Sequence, residues 1–185
     1  GGRSHFMTRR FDRDGRGRKL HMQSLGAIQH FDFNDPASYS YEQAILTIRD
    51  LGLGMDVVEQ QYKRAVFNVV ARNQDDHVKN ISFLMDRSGA WRLSPAYDMA
   101  YSYNPSGSWT RDHQMSLAGK RNDFTHGDLM VFASNVGLKS NKANQAIEDI
   151  VDAVAKWQEF AEQAGVEHSD VSRIEKTFRM NLRGK

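Results

Sequence analysis

The chain contains no cysteine, so disulfides and thiolate metal sites are excluded and a reducing compartment is compatible with the sequence. Only three prolines occur, Pro36, Pro95 and Pro105, and each sits where the chain is punctuated: after Asn34-Asp35, after Leu93-Ser94, and in Asn104-Pro105-Ser106-Gly107. Long apolar runs are missing. The longest, around residues 65–71, is broken by Asn68 and falls far short of the ~20 residues of a membrane span. Residues 1–6 lack the apolar region of a signal peptide, so a cytoplasmic protein without membrane contact is expected. Repeats, coiled-coil heptads and low-complexity tracts are absent as well. Neither sign of charge dominates: the net charge is +2, too small to argue for nucleic acid by itself.

What remains is 185 residues at 39% hydrophobic, enough for one core and a single globular domain. The basic residues are uneven. Arg9, Arg10, Arg13, Arg16, Arg18 and Lys19 crowd together, offset by Asp12 and Asp14. A phosphate-binding patch is one reading; a solvated hairpin tip is the other, favoured by the turn chemistry of Asp14-Gly15-Arg16-Gly17.

Coarse patterning predicts an α+β, mostly helical fold with one or two small β-hairpins. Residues 5–13 are expected as a strand with Leu20 to Met22 as its return. Ser40 with Gln43 forms a capping-box pattern before Tyr41, Ala44, Ile45, Ile48 and Leu51, and Gly52 and Gly54 end that helix. Asp56 with Glu59 marks a second start, and Val58, Tyr62, Ala65, Val66 and Val69 carry its apolar face. Segments 81–85 and 90–93 flank Asp86 to Gly89 as a hairpin. Residues 101–126 have no sustained period. Helices are expected over 128–136 and 144–164, with Gly165 stopping the latter, and from about Ser169.

The most informative stretch is Asn73-Gln74-Asp75-Asp76-His77-Val78-Lys79-Asn80, followed across the hairpin by Tyr97-Asp98. An acid, an Asn five positions later and a second acid beyond a hairpin suit transfer of a phosphoryl group from ATP. Folding the hairpin back brings Asp98 near Asn80, and two such oxygen ligands suit Mg²⁺. Asp75 is then placed to accept a proton from a substrate hydroxyl, and Lys79 offers positive charge to the transferring group. Two other readings stay open. Asp75, Asp76 and His77 as ligands of a hydrolytic Zn²⁺ or Mn²⁺ site are one, although the seven His show no paired spacing. A polar helix-end loop with Asp75 or Asp76 as a cap is the bland one.

These two motifs, with Arg10-Phe11-Asp12-Arg13 and the later His113 to Lys120 segment, resemble the HipA-like serine/threonine kinases, toxins of bacterial toxin–antitoxin modules. The resemblance spans nearly the whole chain. It implies the C-terminal lobe of a protein-kinase-like fold, with Asp75 as base, Asn80 and Asp98 as Mg²⁺ ligands, and His77, Lys79 and Tyr97 around ATP. A hinge at Arg9, Arg10 and Phe11 would meet adenine through its backbone; Glu often precedes this string in the family, where Arg9 stands here. Residues 1–22 would be hinge and basic hairpin, 38–136 the catalytic core and 140–185 a helical tail, with the N-terminal ATP-loop lobe absent. The implied partners are a protein substrate such as an aminoacyl-tRNA synthetase, a helix-turn-helix antitoxin, and operator DNA through the antitoxin complex. A non-catalytic DNA-associated interaction module and a small-molecule or lipid kinase lobe are the rival readings.

Overall fold

The computed structural model describes residues 5, 7–35 and 37–184. Turn chemistry is realised early in it. Asp14 Oδ1 accepts the backbone N–H groups of Arg16 and Arg18, Arg18 Nε donates to Oδ2 at 2.6 Å, and Gly17 takes φ +76°. The Arg13–Lys19 bridge closes this basic hairpin. The described residues before it form no strand, which corrects the expected strand over 5–13. Its expected return does become one: β1 (His21–Ser24) pairs antiparallel with β2 (Ser82–Met85), Met22 opposite Leu84. β2 in turn pairs with β3 (Trp91–Leu93), so the order is β1-β2-β3. Phe83 and Leu84 in the central strand are fully buried, which explains why β2 is flanked on both sides.

Ser24 ends β1 and caps a short helix, α1 (Leu25–Gln29), that periodicity did not announce. The helix α2 (Tyr41–Asp50) opens on the expected capping box: Ser40 Oγ accepts the Gln43 N–H at 3.2 Å, and Gln43 Oε1 accepts the Ser40 N–H at 2.8 Å. Ser40→Ala should therefore cost about 1 kcal/mol in urea unfolding; an unchanged midpoint would argue against the cap. The next helix, α3 (Met55–Val70), begins after Gly54, not at Asp56, whose place is in the first turn near the positive end of the helix dipole.

Helix α3 buries Val58, Tyr62, Ala65, Val66 and Val69 as its spacing predicts. It lies along α5 (Ser140–Ala155), where Ala143 and Ala146 allow close approach beside Ile147 and Val151. Between them and α4 (His126–Asn135), the Phe132 ring stacks on Tyr62 with centroids 5.4 Å apart.

The single helix expected over 144–164 is two. After α5 the chain turns at Lys156 and restarts as α6 (Trp157–Gln163). Neither Pro nor Gly marks the break. Its local consequence is that Trp157 donates its indole N–H to the Val171 carbonyl at 3.1 Å and meets Phe178 edge-on. Gly165, at φ +70°, closes α6 as expected: its N–H reaches Glu162 O and the Val166 N–H reaches Ala161 O. The last helix is α7 (His168–Glu175). Among the described residues no helix is long and apolar enough to cross a membrane.

Candidate active site

Helix α3 ends at Val70 and the chain swings through Arg72, at φ +59°, whose guanidinium lies 3.7 Å from the Tyr103 ring centroid. Asn73 is tied back to Asn68 by its backbone and side-chain N–H groups, both at 3.0 Å. Ser102 Oγ then accepts the backbone N–H of Gln74 at 2.8 Å and of Asp75 at 3.0 Å, which sets where Asp75 leaves the loop. Asn80 closes the same loop by donating from Nδ2 to the Asp75 carbonyl at 2.9 Å. That bond commits Nδ2 and leaves Oδ1 as the group able to take a cation.

The hairpin returns as anticipated. Tyr97 hydrogen-bonds through its hydroxyl to the Lys79 carbonyl and to the Ser82 hydroxyl, so Tyr97 and Asp98 lie alongside the end of the motif. Asp98 occupies the left-handed region at φ +54°. A non-glycine residue rarely rests there, and Asp is among the few that tolerate it.

Three spaces follow one another around these residues. Thr8, Arg9, Arg10, Phe11 and Met22 wall a cavity of about 330 Å³ together with Tyr97 and Asp98. The Phe11 ring lies 5.5 Å from that of Tyr97. Asp98 and Tyr97 also line the neighbouring narrow cleft, of about 20 Å³, with Asn80, His77 and Gln61. His77 in turn borders a recess of about 230 Å³ that contains Asp75, Lys79, Phe33 and Trp109. The motif residues are thus brought together, but in adjoining compartments: Asn80 with Asp98 in the cleft, Asp75 with Lys79 in the recess. Asp75 Oδ1 lies 3.8 Å from His77 Nε2. The Lys79 ammonium rests over the Phe33 ring, 3.4 Å from its centroid.

Two buried polar atoms on residues of the cleft, Gln61 Oε1 and His77 Nδ1, have no hydrogen-bond partner. The oxygens of Asn80 and Asp98, on the same cleft as the unpartnered Gln61 Oε1, fit a hard divalent cation, which keeps some water and needs few protein ligands. The alternative Zn²⁺ or Mn²⁺ site on Asp75, Asp76 and His77 is not formed. Asp76 is buried in the wall of the cleft with both carboxylate oxygens engaged, holding Tyr41 Oη at 2.6 Å, His113 Nδ1 at 2.8 Å and the Gln114 N–H at 2.8 Å. Among the described residues no group of three or more His, Asp or Glu could hold a metal ion. Burial would raise the Asp76 carboxyl, yet the hydrogen bonds from His113, Tyr41 and the Gln114 N–H hold it below the usual carboxylate range.

Part of the arginine cluster is spoken for. Arg10 binds Asp12 with Nε at 2.8 Å and Nη2 at 2.6 Å, and Arg13 joins at 2.7 Å. The Arg10 hydrogen bonds, against the opposing effect of desolvation, hold Asp12 down to about 2. This matches the solvated-hairpin reading better than an open phosphate patch.

The sequence reading assigns no site role to Gln61, Asn68, Tyr41, Ser102 or His113. Gln61 and Asn68 did carry a signal: they are seven apart on the buried face of α3, polar where the period calls for apolar residues.

The fold is a mixed α/β domain: a helical body with a small antiparallel sheet, and a polar cleft where the hairpin meets a helix-end loop. Residues 1–158 match the family model described as HipA-like C-terminal domain, and the chain belongs to that family. It is similar to a Haemophilus influenzae protein named "Putative kinase", 23% identical over 96% of this chain and 59% of that protein. It also superposes on a chain of the Shewanella oneidensis complex of HipA, HipB and operator DNA from a toxin–antitoxin system, with a TM-score of 0.72 and 19% identity. That match covers 94% of this chain and 46% of the other. The chain therefore spans just over half of one relative and just under half of the other.

Proposed function

We propose that this chain is the C-terminal catalytic lobe of a HipA-like serine/threonine protein kinase that transfers the γ-phosphoryl group of ATP to a protein hydroxyl. The observation that carries this is the order of the three spaces: the Asn80–Asp98 cleft lies between the Arg9–Phe11 cavity and the Asp75 recess. Adenine would occupy the first, against the backbone of Arg9, Arg10 and Phe11 and the faces of Phe11 and Tyr97. Asn80 and Asp98 would hold Mg²⁺, with His77 and Tyr97 bordering the phosphates. Mg²⁺, when bound, supplies positive charge against the phosphate oxygens. Asp75, half exposed in its recess, would orient the acceptor hydroxyl and take its proton. Lys79 would add positive charge to that recess, starting from its position over Phe33.

Residues 1–22 would serve as hinge and basic hairpin, 38–136 as catalytic core and 140–185 as supporting tail. The glycine-rich phosphate loop and its lysine would come from chain outside these 185 residues. ATP and the translation machinery share the cytoplasm, and we place the action there. The Shewanella relative was solved with an antitoxin and DNA; a helix-turn-helix antitoxin, operator DNA through it, and a translation component such as an aminoacyl-tRNA synthetase as substrate are the partners we propose.

Titration with nucleotide tests this reading. The chain should bind ATP weakly and only with Mg²⁺; salt-sensitive DNA binding without nucleotide binding would favour the interaction-module rival. In the longer protein that carries the phosphate loop, Asp75→Ala should lower the transfer rate roughly 10²–10⁴-fold while nucleotide affinity stays near that of the parent. Transfer that survives Asp75→Ala would remove Asp75 from the role of base.

A further inference from the structure

Behind the loop that presents Asp75 and Asn80 runs a buried polar chain, of which Tyr41, Asn68 and Asp76 also form part of the wall of the narrow cleft. It starts at Tyr41, whose hydroxyl donates to Asp76 Oδ2 while accepting from Asn68 Nδ2 at 2.8 Å. It continues through the fully buried His113, with Nδ1 on Asp76 and Nε2 3.1 Å from Arg179 Nη1. A guanidinium has donors only. His113 Nε2 must therefore accept, which puts the ring hydrogen on Nδ1 and makes His113 a donor to the Asp76 carboxylate.

Arg179 reaches further. Its Nη1 also donates to the Val69 carbonyl at 3.0 Å, its backbone N–H to the Val70 carbonyl at 3.0 Å, and its Nη2 to Asn122 Oδ1 at 2.5 Å. Val69 and Val70 form the last turn of α3, whose carbonyls have no partner within the helix and favour a cation. One side chain after α7 thus fastens the helix end that delivers the motif and, through His113, the carboxylate next to the candidate base.

We propose that Arg179 is a positioning residue for the candidate active site, fixing the 73–80 loop through the α3 terminus and the His113–Asp76 pair. This rests on the kinase reading for its functional consequence, though not for its geometry. Holding Arg179 there has a cost: burial first, then the nearby Arg72, push its guanidinium down to about 10. The charged groups around His113 are Asp76 and Arg179 at the ring, Arg121, whose Nε donates to the His113 carbonyl at 2.5 Å, and Asp123 and Arg72 beside Arg179; the Phe124 ring covers one side at 5.4 Å.

The experiment compares this chain with Arg179→Met and Arg179→Lys by ¹⁵N spectroscopy of the histidine ring, backbone amide shifts and titration with Mg²⁺-ADP. In the parent, His113 should show the Nδ1–H tautomer, with Nε2 accepting from Arg179. In Arg179→Met the His113 Nε2 signal should move as it loses its donor, the amides of 73–80 should shift, and Mg²⁺-ADP affinity should fall about tenfold. Arg179→Lys keeps the charge with fewer donors and should recover part of each effect. An Nε2–H or doubly protonated ring in the parent overturns the proposal, as does Arg179→Met with unmoved 73–80 amides and parental affinity. If Arg179→Met does not fold, the parent tautomer and the Arg179→Lys shifts decide. Failure of the parent to bind nucleotide would count against the kinase reading alone, because the ring and amide signals still judge the positioning role.

Discussion

Asp98→Ala should abolish Mg²⁺-dependent nucleotide binding, with a loss of affinity on the order of a hundredfold or more in calorimetric titration. Asp98 borders both the Arg9–Phe11 cavity and the cleft, and with Asn80 it is one of two candidate cation ligands. The alanine variant mixes two effects, because φ at this position is +54° and a left-handed alanine costs roughly 1–2 kcal/mol. Asp98→Asn and Asp98→Gly separate them, since both residues tolerate that backbone. Asp98→Asn should retain the parental melting temperature and still lose the Mg²⁺-dependent affinity. Parental Mg²⁺-nucleotide binding by Asp98→Asn would end the assignment of the cleft as a metal site.

Asp76→Ala should give the largest loss of stability, about 3–5 kcal/mol in urea unfolding. It leaves the Tyr41 hydroxyl, the His113 ring and the Gln114 N–H buried without their common acceptor. The effect carries a pH signature. Although burial opposes it, the folded carboxyl lies below its ordinary value of 3.8, so Asp76 stabilises the fold above that pH and the contribution fades as pH falls through the lower folded value. The gap between parent and Asp76→Ala should accordingly narrow in acid. A gap that widens with acid, or a loss under 1 kcal/mol, would mean that the network is not holding a buried carboxylate.

Local chemistry was legible in the residues and distant chemistry was not. The Ser40–Gln43 box, the Gly89 turn and the Gly165 stop are each decided within a few positions, and each formed as its residues dictate. The return of Asp98 toward Asn80 was equally readable, because the turn and both strands of that hairpin are contiguous. The partner of β1 was hidden: strand pairing leaves no mark when the mate lies far along the chain, and residues 5–13 looked extended enough to attract the assignment. The break at Lys156 has no sequence punctuation and accompanies a tertiary contact, Trp157 to the Val171 carbonyl. The Asp76 network draws on α2, the 113–114 segment and Arg179, so no window of sequence contains it. Its trace was indirect, in polar residues placed where α3 should be oily.

The sheet also bears on how the molecule behaves in concentrated solution. Its apolar centre, Phe83 and Leu84, belongs to the kind of segment that stacks into cross-β fibrils when left open. Here that segment is sandwiched between outer strands of only four and three residues. Such brief margins, one of them carrying the exposed charge of Arg92, present few backbone groups to a neighbouring molecule, so the route from native sheet to aggregate is narrow.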